Sequence, residues 1–269
     1  MGTEMREQPI VETRGLVAGY GDETVLDGVD FAAERGLITV ILGGSGCGKS
    51  TLLRHALGLH LPIAGSVRLF GRELAELDDA ELKEIRTRIG VLFQGGALFS
   101  SMTVGENVAM PIRESARVPE PVVAQIVRMK LAQVGLEDAI TKYPEELSGG
   151  MRKRAALARA IAVDPEILFC DEPSAGLDPI VAAGLDQLLL DLKALYGITI
   201  VVVTHDLDSV RKIADRVVML HAGHVIAAGT LADVEASGHP LVRDYFARAP
   251  SVERGGRGTL RALWEGKAR

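Results

Sequence analysis

Short apolar runs alternate with longer segments of helical periodicity along most of this chain. The runs are apolar at consecutive positions, which is typical of strands buried on both faces of a mostly parallel sheet. Between them, KSTLLRHALGL and GLDQLLLDLKAL place their apolar residues on one helical face. The pattern predicts an α/β domain whose helices cover a mostly parallel sheet. The predicted core strands are LITVIL (37–42), RIGVLF (88–93), EILFCD (166–171) and ITIVVV (198–203).

Two regions depart from this alternation. The first 35 residues alternate apolar and polar positions around a Gly-Tyr-Gly-Asp turn, which predicts a hairpin or a small antiparallel sheet. Residues 95–164 contain helical patterns without strand runs, which predicts a helical insertion between two core strands. We therefore expect one domain over residues 8–245 with this insertion inside it, followed by a tail at 246–269 that is rich in Arg, Gly and small residues.

Composition narrows the functional classes. The 269 residues are 47% hydrophobic and 25% charged, enough to bury a sizeable core, and the net charge of −6 opposes a broad nucleic-acid-binding surface. A run of about 18 apolar residues is missing and the N-terminus lacks an apolar signal core, so a role at a membrane would require another chain to hold this one there. Cys47 and Cys170 lack metal-binding spacing, which indicates reduced thiols.

Gly43–Ser50 fits the pattern G-x-x-x-x-G-K-[ST], after an apolar run and at the start of a helical one. Glycines in such a loop let backbone N–H groups surround phosphate oxygens, and the helix N-terminus adds partial positive charge. Lys49 would reach the β- and γ-phosphates, and the Ser50 hydroxyl would contact Mg²⁺. The alternative is a glycine-rich turn with a chance lysine. The expected nucleotide-binding residues are Gly43, Gly44, Ser45, Gly46, Cys47, Gly48, Lys49, Ser50 and Thr51.

Two adjacent acids, Asp171 and Glu172, end the apolar run at 166–171. A carboxylate at the carboxyl end of a buried strand faces the crevice where ligands bind in such sheets. Side-by-side acids at an apolar strand end are costly without a cation. We expect Asp171 to contact Mg²⁺ directly or through one of its ligands, and Glu172 to be the general base for an attacking water. The alternative is that both acids lie in a plain surface turn.

Three further residues are candidates for the same site. Gln94 ends the run at 88–93 and is expected to orient water or contact Mg²⁺ as a catalytic and metal residue. His205 follows the run at 198–203 and is expected to hydrogen-bond a γ-phosphate. Tyr20 lies in the N-terminal turn and is expected to stack on adenine. Each also has an ordinary structural explanation as a strand-end or turn residue.

A second glycine cluster, Leu147–Met151, lies far from the first. Together the motifs occur in the order and at roughly the spacing of ABC-transporter ATPases, which the chain resembles over about residues 8–245. The motifs are Gly43–Thr51, Gln94, LSGGM at 147–151, ILFCDEP at 167–173, SAGLDP at 174–179 and His205. The resemblance implies a P-loop NTPase (RecA-like) core with an N-terminal antiparallel β subdomain and an inserted α-helical subdomain. It also implies ATP and Mg²⁺ as ligands.

The resemblance also implies a reason for the second cluster. In ABC ATPases, Ser148, Gly149 and Gly150 would complete the ATP site of a second, head-to-tail copy, and Asp178 would cross the same interface. Two ATP molecules would then lie between two chains. The alternative is an ordinary helix with Ser148 as its N-cap, which leaves the two glycines unexplained.

A narrower resemblance points to the ATPases of MCE-associated transporters, of which the Mla phospholipid systems are the best known. It rests on LFQGGALFSSMTVGENVAMPIRE (92–114) and LSGGMRKRAALARAIA (147–162). The implied partners are an integral-membrane permease that docks near Gln94, a periplasmic MCE-domain protein and a small STAS-domain subunit. The implied location is the cytoplasmic face of an inner membrane, as a peripheral subunit.

Other classes remain open at the level of sequence. They are the ATPase of another importer, such as one for amino acids; a non-transport ABC protein that acts on ribosomes or DNA; and a soluble P-loop kinase. The presence of a single cassette and the negative net charge oppose the ribosome- or DNA-acting class. The LSGG motif and His205 oppose the kinase class. In the tail, Leu260, Leu263 and Trp264 share a helical face, which fits either an arm that docks on the partner ATPase or a frayed end.

Overall fold

The structure is a computed structural model, and it describes residues 8–21, 23–115 and 117–248. Its elements alternate as the apolar pattern predicts. The strands are β1 (Val11–Tyr20), β2 (Glu23–Ala33), β3 (Ile38–Gly43), β4 (Ala64–Leu69), β5 (Arg72–Glu73), β6 (Ile89–Leu92), β7 (Ile167–Asp171), β8 (Thr199–Thr204), β9 (Arg216–His221) and β10 (His224–Gly229). The helices are α1 (Lys49–Ala56), α2 (Asp79–Thr87), α3 (Val104–Ser115), α4 (Glu120–Gln133), α5 (Gly149–Ala160), α6 (Pro179–Tyr196), α7 (Leu207–Ile213), α8 (Leu231–Glu235) and α9 (Pro240–Phe246).

The larger sheet has the strand order β10-β9-β3-β8-β7-β6 and is parallel except for β10, which pairs antiparallel with β9. Alternate residues of its central strands enter two separate apolar cores, as period-two side-chain geometry requires. One core contains Ile38, Val40, Leu42, Leu168, Cys170, Ile200 and Val202. The other contains Ile41, Ile167, Phe169, Val201 and Val203. The predicted mostly parallel sheet is therefore confirmed, and burial on both faces explains the consecutive apolar residues.

The parallel strands bring their carboxyl ends to one edge of the sheet. Leu42 pairs with Thr204 between β3 and β8, Asp171 pairs with Val203 between β7 and β8, and Leu92 pairs with Cys170 between β6 and β7. The residues that follow these strands consequently lie at the same edge. This is where the sequence places its candidate catalytic side chains.

The smaller sheet is antiparallel, with the order β2-β1-β4-β5. The predicted hairpin is β1–β2, and its close pairing requires Gly19, because a Cβ there would lie 1.9 Å from the Glu23 carbonyl oxygen. This sheet packs with α1 against one face of the larger sheet and shares its apolar core. The predicted antiparallel sheet is confirmed, with β4 and β5 as two further strands.

Helices α3, α4 and α5 lie between β6 and β7, and the described residues from 95 to 164 contain no β-strand. Their apolar faces, which include Val108, Val127 and Leu157, join the core on one side of the larger sheet. Within the described residues, every helix is too short or too polar to cross a bilayer. The predicted tail at 246–269, with Leu260, Leu263 and Trp264, lies outside the described residues from 249 onward.

Candidate nucleotide site

The loop between β3 and α1 has the backbone geometry of a phosphate-binding loop. Gly43 and Gly48 have φ angles of 155° and 105°, which side-chain-bearing residues rarely adopt. A Cβ on Gly43 would lie 2.3 Å from the Leu220 carbonyl oxygen, and one on Gly48 would lie 2.5 Å from Leu26 Cδ2. Both glycines are therefore required by the packing of the loop. The loop leads directly into the N-terminus of α1, whose free N–H groups favour an anion.

Lys49 is buried at the base of this loop. Its Nζ donates hydrogen bonds to the carbonyl oxygens of Gly43 and Gly44, at 2.9 and 2.8 Å. These carbonyls hold the ammonium group within the loop before a phosphate arrives. The exposed residues of the loop are Gly44, Ser45, Gly46 and Ser50, whereas Gly43, Cys47, Gly48, Lys49 and Thr51 are buried. Cys47 and Thr51 are therefore better placed to use backbone groups than side chains.

Glu172 follows β7 in a left-handed backbone conformation, with a φ of 47°. A non-glycine residue rarely adopts this conformation, and such strain is common at functional sites. Both carboxylate oxygens of Glu172 lie 2.9 Å from His205 Nδ1, which follows β8. Because an ionised carboxylate only accepts hydrogen bonds, this contact places the proton of a neutral His205 on Nδ1. The structure thus joins two of the predicted catalytic residues.

Asp171 is half-buried beside Glu172 and has an uncompensated oxygen. Burial raises the pKa of Asp171, and the neighbouring Glu172 carboxylate acts in the same direction. Among the described residues, the buried Asp171 Oδ1 lacks a hydrogen-bond donor. A hard cation would satisfy this oxygen, so the residues present fit Mg²⁺. The described residues contain no cluster of three or more His, Cys, Asp and Glu side chains, so neutral side-chain oxygens, water or phosphate oxygens would complete the coordination.

Lys153 of α5 is a site residue that the sequence analysis did not identify. Its side chain is buried, and its Nζ donates hydrogen bonds to the carbonyl oxygens of Gln94 and Glu172, the latter at 3.2 Å. Burial lowers the pKa of the Lys153 ammonium, whereas nearby Asp171 and Glu172 favour its charged form. One ammonium therefore connects the helix that starts at Ser148 with two candidate catalytic segments. The sequence feature that could have identified Lys153 is its position on the buried, alanine-rich face of α5, where a charged residue is unusual.

Gln94 and Tyr20 are the remaining predicted residues of the site. The Gln94 residue is exposed, and its backbone is fixed through the hydrogen bond from Lys153. Tyr20 ends β1 and is 47% exposed; its hydroxyl accepts a hydrogen bond from Arg54 Nη1 at 3.0 Å. Hydrogen bonds with Thr51 and then Arg54 lower the pKa of Tyr20. A ring with an exposed face at this position suits stacking on a planar base.

Among the described residues, the second glycine cluster makes no hydrogen bond to the Gly43–Thr51 loop. Ser148 and Asp178 are exposed N-caps: Ser148 Oγ accepts from Met151 N at 3.3 Å, and Asp178 Oδ1 accepts from Ile180 N and Val181 N. Within the part of the chain that the structure describes, the start of α5 is exposed and can face another molecule.

The two glycines of this cluster have different environments. A Cβ on Gly150 would lie 2.4 Å from Val181 Cγ1, so close packing of α5 on α6 requires this glycine. The expectation that intrachain structure leaves both glycines unexplained is therefore wrong for Gly150. A Cβ on Gly149 would make an ordinary 3.6 Å contact with Leu177 Cδ2, so packing within the chain does not require Gly149.

Comparisons with known proteins identify the family to which this sequence is similar. The ABC transporter family matches residues 26–175. The intermembrane phospholipid transport system ATP-binding protein MlaF of Haemophilus influenzae is 43% identical over 223 residues, which cover 83% of this chain and 84% of that protein. The probable ribonucleotide transport ATP-binding protein mkl of Mycobacterium tuberculosis is 43% identical over 236 residues, covering 88% of this chain but only 66% of that protein.

Solved structures give the same result. The dimeric ATP-binding cassette MJ0796, in a post-hydrolysis state bound to ADP and Pi, has a TM-score of 0.75 and 33% sequence identity, covering 82% of this chain and 98% of that one. The shared fold, the family match and the motifs at one sheet edge lead to a single assignment. The chain belongs to the ABC transporter family and carries its ATPase cassette.

Proposed function

We propose that this chain binds ATP, hydrolyses it between two of its own copies, and drives a membrane permease that moves phospholipids. The observation that carries the proposal is the 43% identity to the Haemophilus phospholipid transport ATP-binding protein over 84% of that protein. The arrangement of Lys49, Asp171, Glu172 and His205 at one sheet edge supplies the groups that the reaction needs.

ATP would bind with its phosphates on the Gly43–Thr51 loop, where backbone N–H groups and the start of α1 favour negative charge. Lys49 would exchange its carbonyl contacts within the loop for β- and γ-phosphate oxygens. Because that ammonium is already held inside the loop, little reorganisation is required. Tyr20 would stack on the adenine.

Mg²⁺ would be held by Ser50, Asp171 and Gln94. The best-supported contact is Asp171 Oδ1, which has no hydrogen-bond donor among the described residues. Mg²⁺ held by these residues would supply positive charge that offsets the negative charge developing on the phosphates during phosphoryl transfer. Its charge would also stabilise the ionised form of Asp171, whose pKa burial otherwise raises.

Glu172 would accept the proton of the attacking water as general base. His205 would hold the Glu172 carboxylate through its Nδ1–H. Its Nε2 would donate a hydrogen bond to the γ-phosphate only in the doubly protonated imidazolium form, because a neutral ring has a single N–H. Lys153 is a positioning residue, because it fixes the backbone carbonyls of Gln94 and Glu172 rather than contacting ATP.

Ser148, Gly149, Gly150 and Asp178 would act on the ATP held by a second, head-to-tail copy. The exposed positions of Ser148, Gly149 and Asp178 at helix starts support this assignment. A permease would hold the pair at the cytoplasmic face of an inner membrane. An MCE-domain protein and a STAS-domain subunit would complete the assembly.

Reconstitution tests the transported substrate. The tagged chain is purified from its own membranes with its partners and inserted into vesicles that contain a fluorescent phospholipid. We expect ATP-dependent transfer of that phospholipid to acceptor vesicles, and no transfer when the chain carries Glu172→Gln. The same vesicles are also assayed for ATP-dependent movement of a labelled ribonucleotide.

The ribonucleotide arm is included because the mycobacterial relative of equal identity is named for ribonucleotide transport. Ribonucleotide movement without phospholipid transfer would replace the proposed substrate with this second candidate. Normal ATP turnover with neither activity would contradict both.

Replacing Lys153 tests its positioning role. Lys153→Met retains the side-chain length but leaves the carbonyl oxygens of Gln94 and Glu172 without their shared donor. We expect kcat for ATP hydrolysis to fall about tenfold or more, because one lost charged hydrogen bond at a catalytic centre is worth roughly that factor. The Kd for ATP, measured by equilibrium titration, should change little.

Lys153→Arg keeps a charged donor and should recover part of kcat. Lys142→Met, an exposed lysine in the same helical region, is the matched control and should leave turnover unchanged. A Lys153→Met variant that is folded, binds ATP and turns over at the wild-type rate would contradict the positioning role.

A further inference from the structure

A second cleft lies at the opposite end of the larger sheet from the nucleotide loop. Its residues Gly36, Arg88, Glu166 and Thr199 lie at the amino ends of β3, β6, β7 and β8. Its other walls come from α4 and the C-terminal end of α6. The cleft encloses about 920 Å³, compared with about 440 Å³ for the cleft beside Glu172 and His205. This size is typical of sites for small organic ligands.

The charged groups of this cleft leave a surplus of hydrogen-bond donors. Glu166 is shared by two guanidinium groups, with Arg88 Nε at 2.6 Å and Arg35 Nη1 at 3.4 Å. The hydrogen bond from Arg88 lowers the pKa of Glu166, which keeps this carboxylate ionised. Lys130 is 2% exposed and pairs with Asp164. Three cationic side chains therefore face two carboxylates.

Two buried polar atoms of the cleft have no partner among the described residues. They are Arg35 Nε, a donor, and Gln133 Oε1, an acceptor. The Gln133 amide is otherwise fixed, because its Nε2 donates to the Tyr196 hydroxyl at 2.6 Å. Buried polar groups without partners cost free energy, and such groups are uncommon in native structures. A ligand with an acceptor at one end and a donor at the other would satisfy both atoms.

Part of the cleft lining is apolar. It includes Ile161, Pro165, Leu192 and Ile198, which are all buried residues. The Arg88 Cζ atom lies 3.7 Å from the centre of the Phe70 ring, so this cation packs on an aromatic side chain of the cleft wall. A ligand that matches all three surfaces has a negative head, an apolar body and a hydroxyl or amine at its far end.

We propose that this cleft binds a small hydroxylated organic carboxylate. Its carboxylate would accept hydrogen bonds from Arg35, its apolar body would cover Leu192 and Ile198, and its hydroxyl would donate to Gln133 Oε1. The walls come from α4 and from the sheet, so the bound ligand would connect the helical region to the core on the side away from ATP.

Titration calorimetry of the full chain with 6-hydroxy-2-naphthoate tests the proposal. This probe carries all three features, and we expect a Kd of about 1 mM, the range for a ligand of its size. Two related probes measure the separate contributions of the carboxylate and the hydroxyl to binding. The amide, 6-hydroxy-2-naphthamide, loses the charge, and 2-naphthoate loses the hydroxyl. Both should bind at least about threefold more weakly.

Two variants assign the contacts. Arg35→Gln should weaken binding of 6-hydroxy-2-naphthoate about tenfold. Gln133→Leu should abolish the preference for the hydroxylated probe over 2-naphthoate. Arg243→Gln is the matched control, because Arg243 is 75% exposed and outside the cleft, and it should leave the Kd unchanged.

Circular dichroism verifies that each variant is folded, and the Gln133→Leu result stands independently if Arg35→Gln proves unstable. Failure of the wild-type chain to bind the probe at about 10 mM, ten times the expected Kd, would overturn the proposal. Equal affinity for the acid and its amide would also overturn it, as would a folded Arg35→Gln chain with wild-type affinity.

Discussion

Glu172→Gln is expected to lower ATP turnover by about 10²-fold or more, the range for loss of a general base. The amide has almost the same shape as the carboxylate but cannot take a proton from water. Its oxygen can still accept the hydrogen bond from His205 Nδ1, so the local geometry should persist. Initial-rate assays of phosphate release measure the effect, and equilibrium titration should show that ATP still binds.

The same variant should form stable dimers in ATP, because the nucleotide remains between the two copies when it is not hydrolysed. Size-exclusion chromatography with and without ATP reports this change. The matched control is Glu120→Gln, which removes an exposed carboxylate 2.7 Å from Arg113 Nη2 and should leave turnover within experimental error. Turnover of Glu172→Gln within twofold of the wild type would contradict the assignment of Glu172.

The core strands were predictable because two-face burial imposes consecutive apolar residues. The prediction at 198–203 differs from β8 by one residue at each end, and that at 37–42 differs from β3 by the same amount. The hairpin β9–β10 escaped prediction for physical reasons. Its Ala222-Gly223 turn has φ angles of 45° and 82°, and alanine is a weak signal for such a turn. The outer strand β10 has no fully buried residue, so its sequence lacks a clear alternation of apolar and polar positions.

The pairing of strands that are distant in sequence was also not predicted. β4 joins the antiparallel sheet through β1, where Val11 pairs with Leu69. Nothing in the local pattern of residues 64–69 specifies this partner, because strand pairing depends on contacts across the fold. The presence of an N-terminal antiparallel sheet was predictable, whereas its full membership was not.

The candidate site shows the same division. Asp171 and His205 were identifiable because each directly ends or follows a buried apolar run, and parallel strands bring such ends together. Lys153 was not identified because its partners lie 59 and 19 residues away, at Gln94 and Glu172. The packing of Gly150 against Val181 likewise becomes visible only when α5 and α6 are placed together.

Ser148→Arg is expected to abolish ATP hydrolysis while a single chain still binds ATP. Ser148 is exposed and caps α5, far along the chain from the Gly43–Thr51 loop. An arginine there would fill the surface that faces the second copy's ATP. Loss of the cap alone should cost about 1 kcal/mol of stability, which Ser148→Ala measures separately. Thr230→Arg is the matched control. The Thr230 hydroxyl also caps a helix, because Thr230 Oγ1 accepts a hydrogen bond from Asp233 N at 3.2 Å at the start of α8.

Mixed dimers give the sharpest form of this prediction. When Ser148→Arg and Glu172→Gln chains pair, one composite site carries both defects and the other carries neither. Random pairing of the two inactive chains should therefore restore about a quarter of wild-type turnover if the two sites act independently. Two differently tagged chains, co-expressed and purified through both tags before ATP is added, isolate the mixed dimer. If Ser148 instead served its own chain's ATP, every site in the mixture would contain a defect and the mixed dimer would remain inactive.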